Sequence, residues 1–183
     1  MTLSEVIIKE KAARIKWFFS DVDGSLTDGC TYYSSRGEEM KKFSHSDGTG
    51  FFLLRLAGIK TGLITGENIE IVSRRAEKLK TDRCFLGVTD KLAVLEELAV
   101  EERISLDEIA YLGDDLNDYL LFARLGLTFT PSDARPEIRA KADFICMNTG
   151  GHGAFREAAE TLLRYREVDI IKLIHSAIAP PGR

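Results

Sequence analysis

Phe18-Phe19-Ser20-Asp21-Val22-Asp23-Gly24-Ser25-Leu26-Thr27-Asp28 is the stretch on which the fold turns. Ile15, Trp17, Phe18 and Phe19 make an apolar run of bulky residues, which predicts a strand buried on both faces. The run stops at two carboxylates separated by one residue and followed by Gly24, so acidic groups stand at the carboxyl end of that strand. Open α/β sheets bind ligands at that end. In extended backbone, residues one apart point to the same side, so Asp21 and Asp23 can address one bound group. Like charges this close repel unless a cation or a proton joins them. The hard divalent ion that binds through few carboxylates plus substrate phosphate is Mg²⁺. On its own, an Asp-x-Asp-Gly is equally well a turn with solvated aspartates.

Working outward, further polar groups follow further apolar runs. Gly62-Leu63-Ile64 leads to Thr65-Gly66, Lys91 stands in Thr89-Asp90-Lys91-Leu92, and Ile109-Ala110-Tyr111-Leu112 leads to Gly113-Asp114-Asp115-Leu116-Asn117-Asp118. Strands are expected at Ile59 to Ile64, Cys84 to Leu86, Ile109 to Leu112, Leu127 to Phe129 and Phe144 to Cys146. Helices are expected before the first strand, from Ser46 to Gly58, from Thr65 to about Leu79, from Lys91, from Asp115 to Arg124, from Ala134 to Ala140 with Pro136 in its first turn, and after the glycine-rich Gly150-Gly151-His152-Gly153. Asp47 reads as an N-cap or as part of a loop facing a ligand. Alternation of strand and helix predicts an α/β fold, a doubly wound parallel sheet with right-handed crossovers. One departure from it is a β-hairpin inserted at about 29–44, where Thr31, Tyr32, Tyr33 and then Met40, Phe43 flank a turn at Ser34-Ser35-Arg36-Gly37-Glu38. Its strand edges are expected to be covered by another copy of the chain. A short helix and a frayed tail complete the chain over about 166–183.

The 183 residues, 44% of them hydrophobic, suit one α/β domain over 1–183. With 25 basic against 29 acidic side chains, the mildly negative chain argues against a nucleic-acid-binding surface, and an anionic substrate would need local positive charge. Arg74, Arg75 and Lys78 offer one such patch. Cys30, Cys84 and Cys146 are widely spaced with no CxxC, which points to buried small hydrophobes and away from a disulfide framework or a zinc site. Glu5, Lys9, Glu10 and Lys11 interrupt the apolar residues near the amino terminus, so neither a signal peptide nor a membrane span is expected there and a cytoplasmic location is the default.

Taken in chain order, Asp-x-Asp, Thr, Lys and Gly-Asp-Asp-x-x-Asp resemble the haloacid dehalogenase-like phosphatase superfamily. The resemblance is narrower along Asp21 to Gly29, Ser46-Asp47-Gly48-Thr49-Gly50, Gly113 to Asp118 and Gly150-Gly151-His152-Gly153-Ala154-Phe155-Arg156-Glu157, where the chain is similar to the capless 3-deoxy-D-manno-octulosonate 8-phosphate phosphatase family. That likeness implies Asp21 as the nucleophile, Asp23 as general acid and base, Thr65 with the Gly66 amide and Lys91 as phosphate donors, and Mg²⁺ on the Asp21 carboxylate, the Asp23 carbonyl and the Asp114 carboxylate. Asp115 and Asp118 would orient that shell. It also implies a homotetramer whose hairpins form a shared barrel and whose neighbouring chains complete each active site.

Where that family typically carries Thr-Gly-Arg, this chain has Thr65-Gly66-Glu67, and Lys78 follows in Arg75-Ala76-Glu77-Lys78. The Glu and Lys combination resembles the branch acting on 2-keto-3-deoxy-D-glycero-D-galacto-nononate 9-phosphate, so the nine-carbon phosphate is expected ahead of the octulosonate 8-phosphate of lipopolysaccharide synthesis. On one helix Glu67 and Lys78 would lie about three turns, ~16 Å, apart, so both would read a substrate only across a subunit contact. Arg75 and Arg156 are the candidates for the substrate carboxylate. Ser25 stands where the family commonly has a larger apolar residue. A phospho-receiver domain and a non-catalytic assembly domain are the other classes. The first fits Asp-x-Asp-Gly poorly, and the intact Asp21, Asp23, Thr65, Lys91 and Asp114 argue against the second.

Overall fold

Trp17–Ser20 forms the strand β1 at the middle of a six-stranded parallel sheet. The structure, a computed structural model, describes residues 3–178. From one edge to the other the sheet runs Arg83–Phe85 (β5), Lys60–Ile64 (β4), β1, Ile109–Leu112 (β6), Leu127–Thr130 (β7) and Phe144–Ile145 (β8). The winding therefore reverses at β1, the switch point at which open α/β sheets form their ligand crevice. Ser20 pairs with Leu63 on one side and Leu112 on the other, so β1, β4 and β6 end at the same level.

Side-chain alternation along β1 supplies both cores, as period-two backbone requires. Phe18 faces one side, where it stacks on Phe129 and tilts onto Phe155 with centroids 5.4 and 5.0 Å away. That face is covered by the helices Leu3–Arg14 (α1), His45–Leu56 (α2), Glu70–Leu79 (α3) and Ala154–Tyr165 (α6). Trp17 and Phe19 face the other side and join Leu95, Leu98, Phe122 and Ile138 beneath Lys91–Glu102 (α4) and Pro136–Arg139 (α5). Phe18 and Phe19 are fully buried, each worth about 1.5–3 kcal/mol of transfer free energy. The final described helix, Ile170–Ile178 (α7), packs on α2, and the expected tail beyond it lies outside the described residues.

The expected hairpin is present as Thr31–Ser34 (β2) and Gly37–Lys41 (β3), an antiparallel pair that joins no other strand among the described residues. Tyr32, Tyr33 and Met40 are exposed on it. Pro136 takes the first position of α5, and Ser105 with Glu108 makes a capping box before β6. Gly58, at φ 74°, follows the Ala57 cap of α2.

Several expectations need correction. Asp115 to Arg124 is no continuous helix but two single 3-10 turns, Leu116–Asp118 and Leu121–Ala123. The Asp118 side chain bonds back to the Asp114 and Asp115 amides, a local competitor of the helical ladder. The helix expected from Thr65 begins at Glu70, because the Thr65 hydroxyl accepts the Glu67 N–H at 3.1 Å and the Glu67 carbonyl accepts the Gly87 N–H at 3.1 Å, which hold 65–69 in a loop. Glu67 and Lys78 therefore do not share a helix. Ser44, not Asp47, caps α2, its hydroxyl accepting the Ser46 N–H. Cys30 is exposed rather than buried, whereas Cys146 is buried.

Candidate active site

The acidic loop leaves β1 with the Asp21 N–H still donating to the Leu112 carbonyl at 2.9 Å, so the ladder sets the position of Asp21. Gly24, at φ 86°, lies where a Cβ would come within 2.0 Å of an Asp114 carboxylate oxygen, so the turn admits no side chain there. The Thr27 hydroxyl accepts the Gly24 and Gly29 amides at 3.3 and 3.1 Å and rounds off the loop. Gly150 backs it from below, with room for no Cβ against the Gly24 carbonyl, and the Gly151 N–H donates to the Ser25 carbonyl at 3.0 Å.

Asp21, Asp114 and Asp118 bring carboxylate oxygens within 4.8 Å of one another. Lys91, the first residue of α4, reaches in from the far side, its ammonium 2.6 Å from Asp21 Oδ1 and 2.7 Å from Asp118 Oδ1. The Tyr111 hydroxyl donates to Asp118 Oδ1 at 2.6 Å, and the Asp114 N–H donates to Asp118 Oδ2 at 3.0 Å. Asp118 is fully buried and its oxygens are occupied, so it orients Lys91 and the Asp114 loop. Arg124 pairs with Glu96. The exposed Asp115 caps the turn at Leu116.

Three carboxylates around one ammonium leave the buried cluster short of positive charge. Burial first, and the Asp118 charge second, push Asp21 up to about 7 against the pull of Lys91. Burial and then the Asp21 charge push Asp114 up to about 8. Burial works against the Lys91 ammonium, but Asp21 and Asp118 outweigh it and hold the group above the ordinary lysine value. Tyr111 is held well above its ordinary value by burial and Asp118. A hard cation between Asp21 and Asp114 would discharge the strain that the raised carboxyls express, and an all-oxygen donor set suits Mg²⁺. Asp23 adds no carboxylate to this cluster; its Oδ1 pairs with Lys41 of the hairpin at 2.5 Å.

Thr65 is buried directly after β4, its N–H bonded to the Phe85 carbonyl at 3.0 Å, with the exposed Gly66 and Glu67 next to it. The remaining expected substrate residues stand elsewhere. Arg75 and the exposed Lys78 line a cavity of about 270 Å³ with His45, Thr49, Arg55 and Lys80, which none of the catalytic candidates lines. Arg75 donates to the Ser44 carbonyl at 2.7 Å and covers the Phe43 ring. Arg156 is turned along α6 to Glu160 at 2.8 Å. Asp47 is buried in the first turn of α2, where its carboxylate accepts the Gly153 and Arg156 amides at 3.2 Å each and so caps α6.

Sequence reasoning missed three polar groups. The buried Ser25 hydroxyl donates to Asp114 Oδ1 at 2.9 Å, so the residue that stands in place of a larger apolar one holds a carboxylate of the cluster. Tyr111 read as an ordinary strand residue, and Lys41 as part of the hairpin. The pleat of β6 carried a signal for the first, since Tyr111 alternates with Leu112 and points toward α4.

Residues 85–156 match the family model described as haloacid dehalogenase-like hydrolase. The chain is 35% identical over 154 residues to the 3-deoxy-D-manno-octulosonate 8-phosphate phosphatase of Yersinia pestis, an alignment spanning 84% of this chain and 82% of that one. This chain belongs to that phosphatase family. The Escherichia coli K12 member of the family is likewise 35% identical over 153 residues, spanning 84% and 81% of the two chains. The family's crystal structure from Moraxella catarrhalis, in complex with magnesium, phosphate and a KDO molecule, superposes with a TM-score of 0.89 at 36% identity over 96% of this chain and 99% of that one. A cobalt-bound family member from Haemophilus influenzae gives a TM-score of 0.84 at 32% identity, covering 90% and 98%.

Proposed function

We propose that this protein is a Mg²⁺-dependent phosphatase of 2-keto-3-deoxy sugar acid phosphates, with 3-deoxy-D-manno-octulosonate 8-phosphate as its substrate. The supporting observation is the convergence of Asp21, Asp114 and Lys91 at the level ends of β1 and β6, in a family whose Moraxella member carries magnesium, phosphate and KDO together. Lys91 holds Asp21 Oδ1, which leaves Oδ2 to attack phosphorus. As the P–Oδ2 bond forms, the ester P–O bond breaks and Asp23 gives its proton to the leaving sugar oxygen. Asp23 then takes a proton from water, which attacks the aspartyl phosphate, releases inorganic phosphate and restores Asp21. Thr65, the Gly66 amide and Lys91 hold the phosphoryl oxygens. Bound at the Asp21 and Asp114 carboxylates and the Asp23 carbonyl, Mg²⁺ supplies charge neutralisation between acidic loop and phosphate.

The active form is a homotetramer joined by the hairpins. In it the cationic cavity with Arg75 and Lys78 on one copy, together with Arg156, serves the sugar acid bound by a neighbour, while Glu67 beside Thr65 reads sugar hydroxyls in its own chain. Glu67 is the observation that favours a second reading, the nine-carbon nononate 9-phosphate, because a carboxylate cannot grip the substrate carboxylate as an arginine fork would. Kinetics on both phosphates side by side test this. A kcat/KM higher for the eight-carbon ester supports the first reading, and the reverse supports the second. Asp21→Asn is expected to abolish turnover with fold and assembly intact; near wild-type activity would remove Asp21 as nucleophile.

A further inference from the structure

Lys41 is the last residue of β3, and its side chain is only 2% exposed although the hairpin around it stands clear of the main sheet. Its ammonium lies 2.5 Å from Asp23 Oδ1, while the Asp23 side chain remains 32% exposed. Asp23 is thus held from outside the αβ body, by a residue 18 positions later in sequence, and not by the Lys91 network that holds Asp21. The two catalytic carboxylates have separate supports. A buried ammonium is costly to place unless an oxygen partner is met at close range, so the contact at Oδ1 fixes both side chains and leaves Oδ2 to carry the proton that Asp23 delivers. A short aspartate side chain that must meet a leaving oxygen loses much of its effect when it is displaced by about 1 Å.

Resting on the phosphatase function above, we propose that Lys41 is a positioning residue for Asp23. Carried on the hairpin, it aims the carboxyl that delivers a proton to the departing oxygen, and it leaves the attack of Asp21 on phosphorus untouched. In the first half-reaction the P–O ester bond breaks, the electron pair goes to the leaving oxygen, and the Asp23 proton follows it. An alkyl leaving group needs that proton, whereas p-nitrophenolate departs without it. The neighbouring Lys42 has a different place, pairing with Asp28 at 2.6 Å with its side chain half exposed, which makes it a control of equal charge.

The experiment is rapid-quench measurement of the first, phosphoenzyme-forming phase with Mg²⁺, on an alkyl sugar phosphate and on p-nitrophenyl phosphate. Lys41→Met is expected to slow this phase on the order of 10- to 100-fold for the alkyl ester. With p-nitrophenyl phosphate it should stay within about twofold of wild type, as general-acid assistance is not required there. Lys41→Arg should recover most of the alkyl rate, and Lys42→Met should change neither. Equal loss on both substrates would overturn the proposal, since it would mark a role in folding, assembly or phosphate binding. No loss on either would overturn it as well. Lys41→Gln, one atom shorter and polar but uncharged, gives the same comparison if the methionine variant does not fold. A wild-type protein inert on both esters would instead count against the phosphatase function itself.

Discussion

Asp118 takes hydrogen bonds from Lys91, Tyr111 and the Asp114 amide, and its charge is one reason why Asp21 holds a proton up to about 7. Asp114 holds one up to about 8. Both carboxyls bind the proton more tightly in the folded chain than an ordinary aspartate does, near 4, in the unfolded one. Their contribution to stability is therefore complete below about pH 4 and is lost as pH rises through about 7 and 8. Thermal melts of metal-free protein should show a Tm that falls from about pH 5 to pH 8. Added Mg²⁺ should flatten or reverse this slope, because the cation takes the place of the protons. A metal-free Tm that climbs across the window would contradict the charge balance assigned to the cluster. Asp21, Thr65, Lys91 and Asp114 were legible because each closes or follows an apolar run in a set chain order. Ser25, Tyr111 and Lys41 were not, because their partners are set by tertiary register: Ser25 meets a carboxylate 89 positions away, and Lys41 reaches Asp23 only once the hairpin folds back.

Among the elements, α2 and α6 are joined more by Asp47 than their apolar faces alone would require. Phe51 lies flat on Phe155 at 3.9 Å, and one turn away the Asp47 carboxylate receives two amides at the start of α6. Asp47→Ala would leave those buried donors unpaired, an expected loss of about 1–3 kcal/mol. Urea unfolding measures it, and an unchanged midpoint would mean that water replaces the carboxylate at no cost. The strands and the hairpin could be read locally, since alternation and turn residues act over a few positions. The stretch 115–124 could not: its apolar spacing suits a helix, but Asp118 is drawn inward to Lys91 and Tyr111, and the backbone tightens into 3-10 turns around it. The loop at 65–69 was misread for a similar reason, as the Thr65 hydroxyl and the Gly87 amide satisfy groups that a helix start would have used.

At the scale of the whole molecule, a two-stranded hairpin with Tyr32 and Tyr33 exposed is marginal in water by itself, and its unpaired edges invite another copy. In the proposed tetramer the cationic cavity over Arg75 and Lys78, which none of the catalytic candidates lines, would serve a neighbour's site. Light scattering is expected to give the mass of four chains, and Tyr32→Lys with Tyr33→Lys should lower it; a wild-type monomer at micromolar concentration would contradict the shared site. The winding reverses at β1, which ends in the acidic cluster that Lys91 enters, while Thr65 follows the neighbouring strand β4; the central claim is that this site turns over sugar acid phosphates with a divalent ion. The most direct measurement is continuous phosphate release from 3-deoxy-D-manno-octulosonate 8-phosphate with Mg²⁺, after chelation, and after Mg²⁺ is restored. The account predicts many phosphates per chain, loss on chelation and recovery on return of the metal. Release that ignores the metal, or a single lasting phosphorylation of each chain, would contradict it.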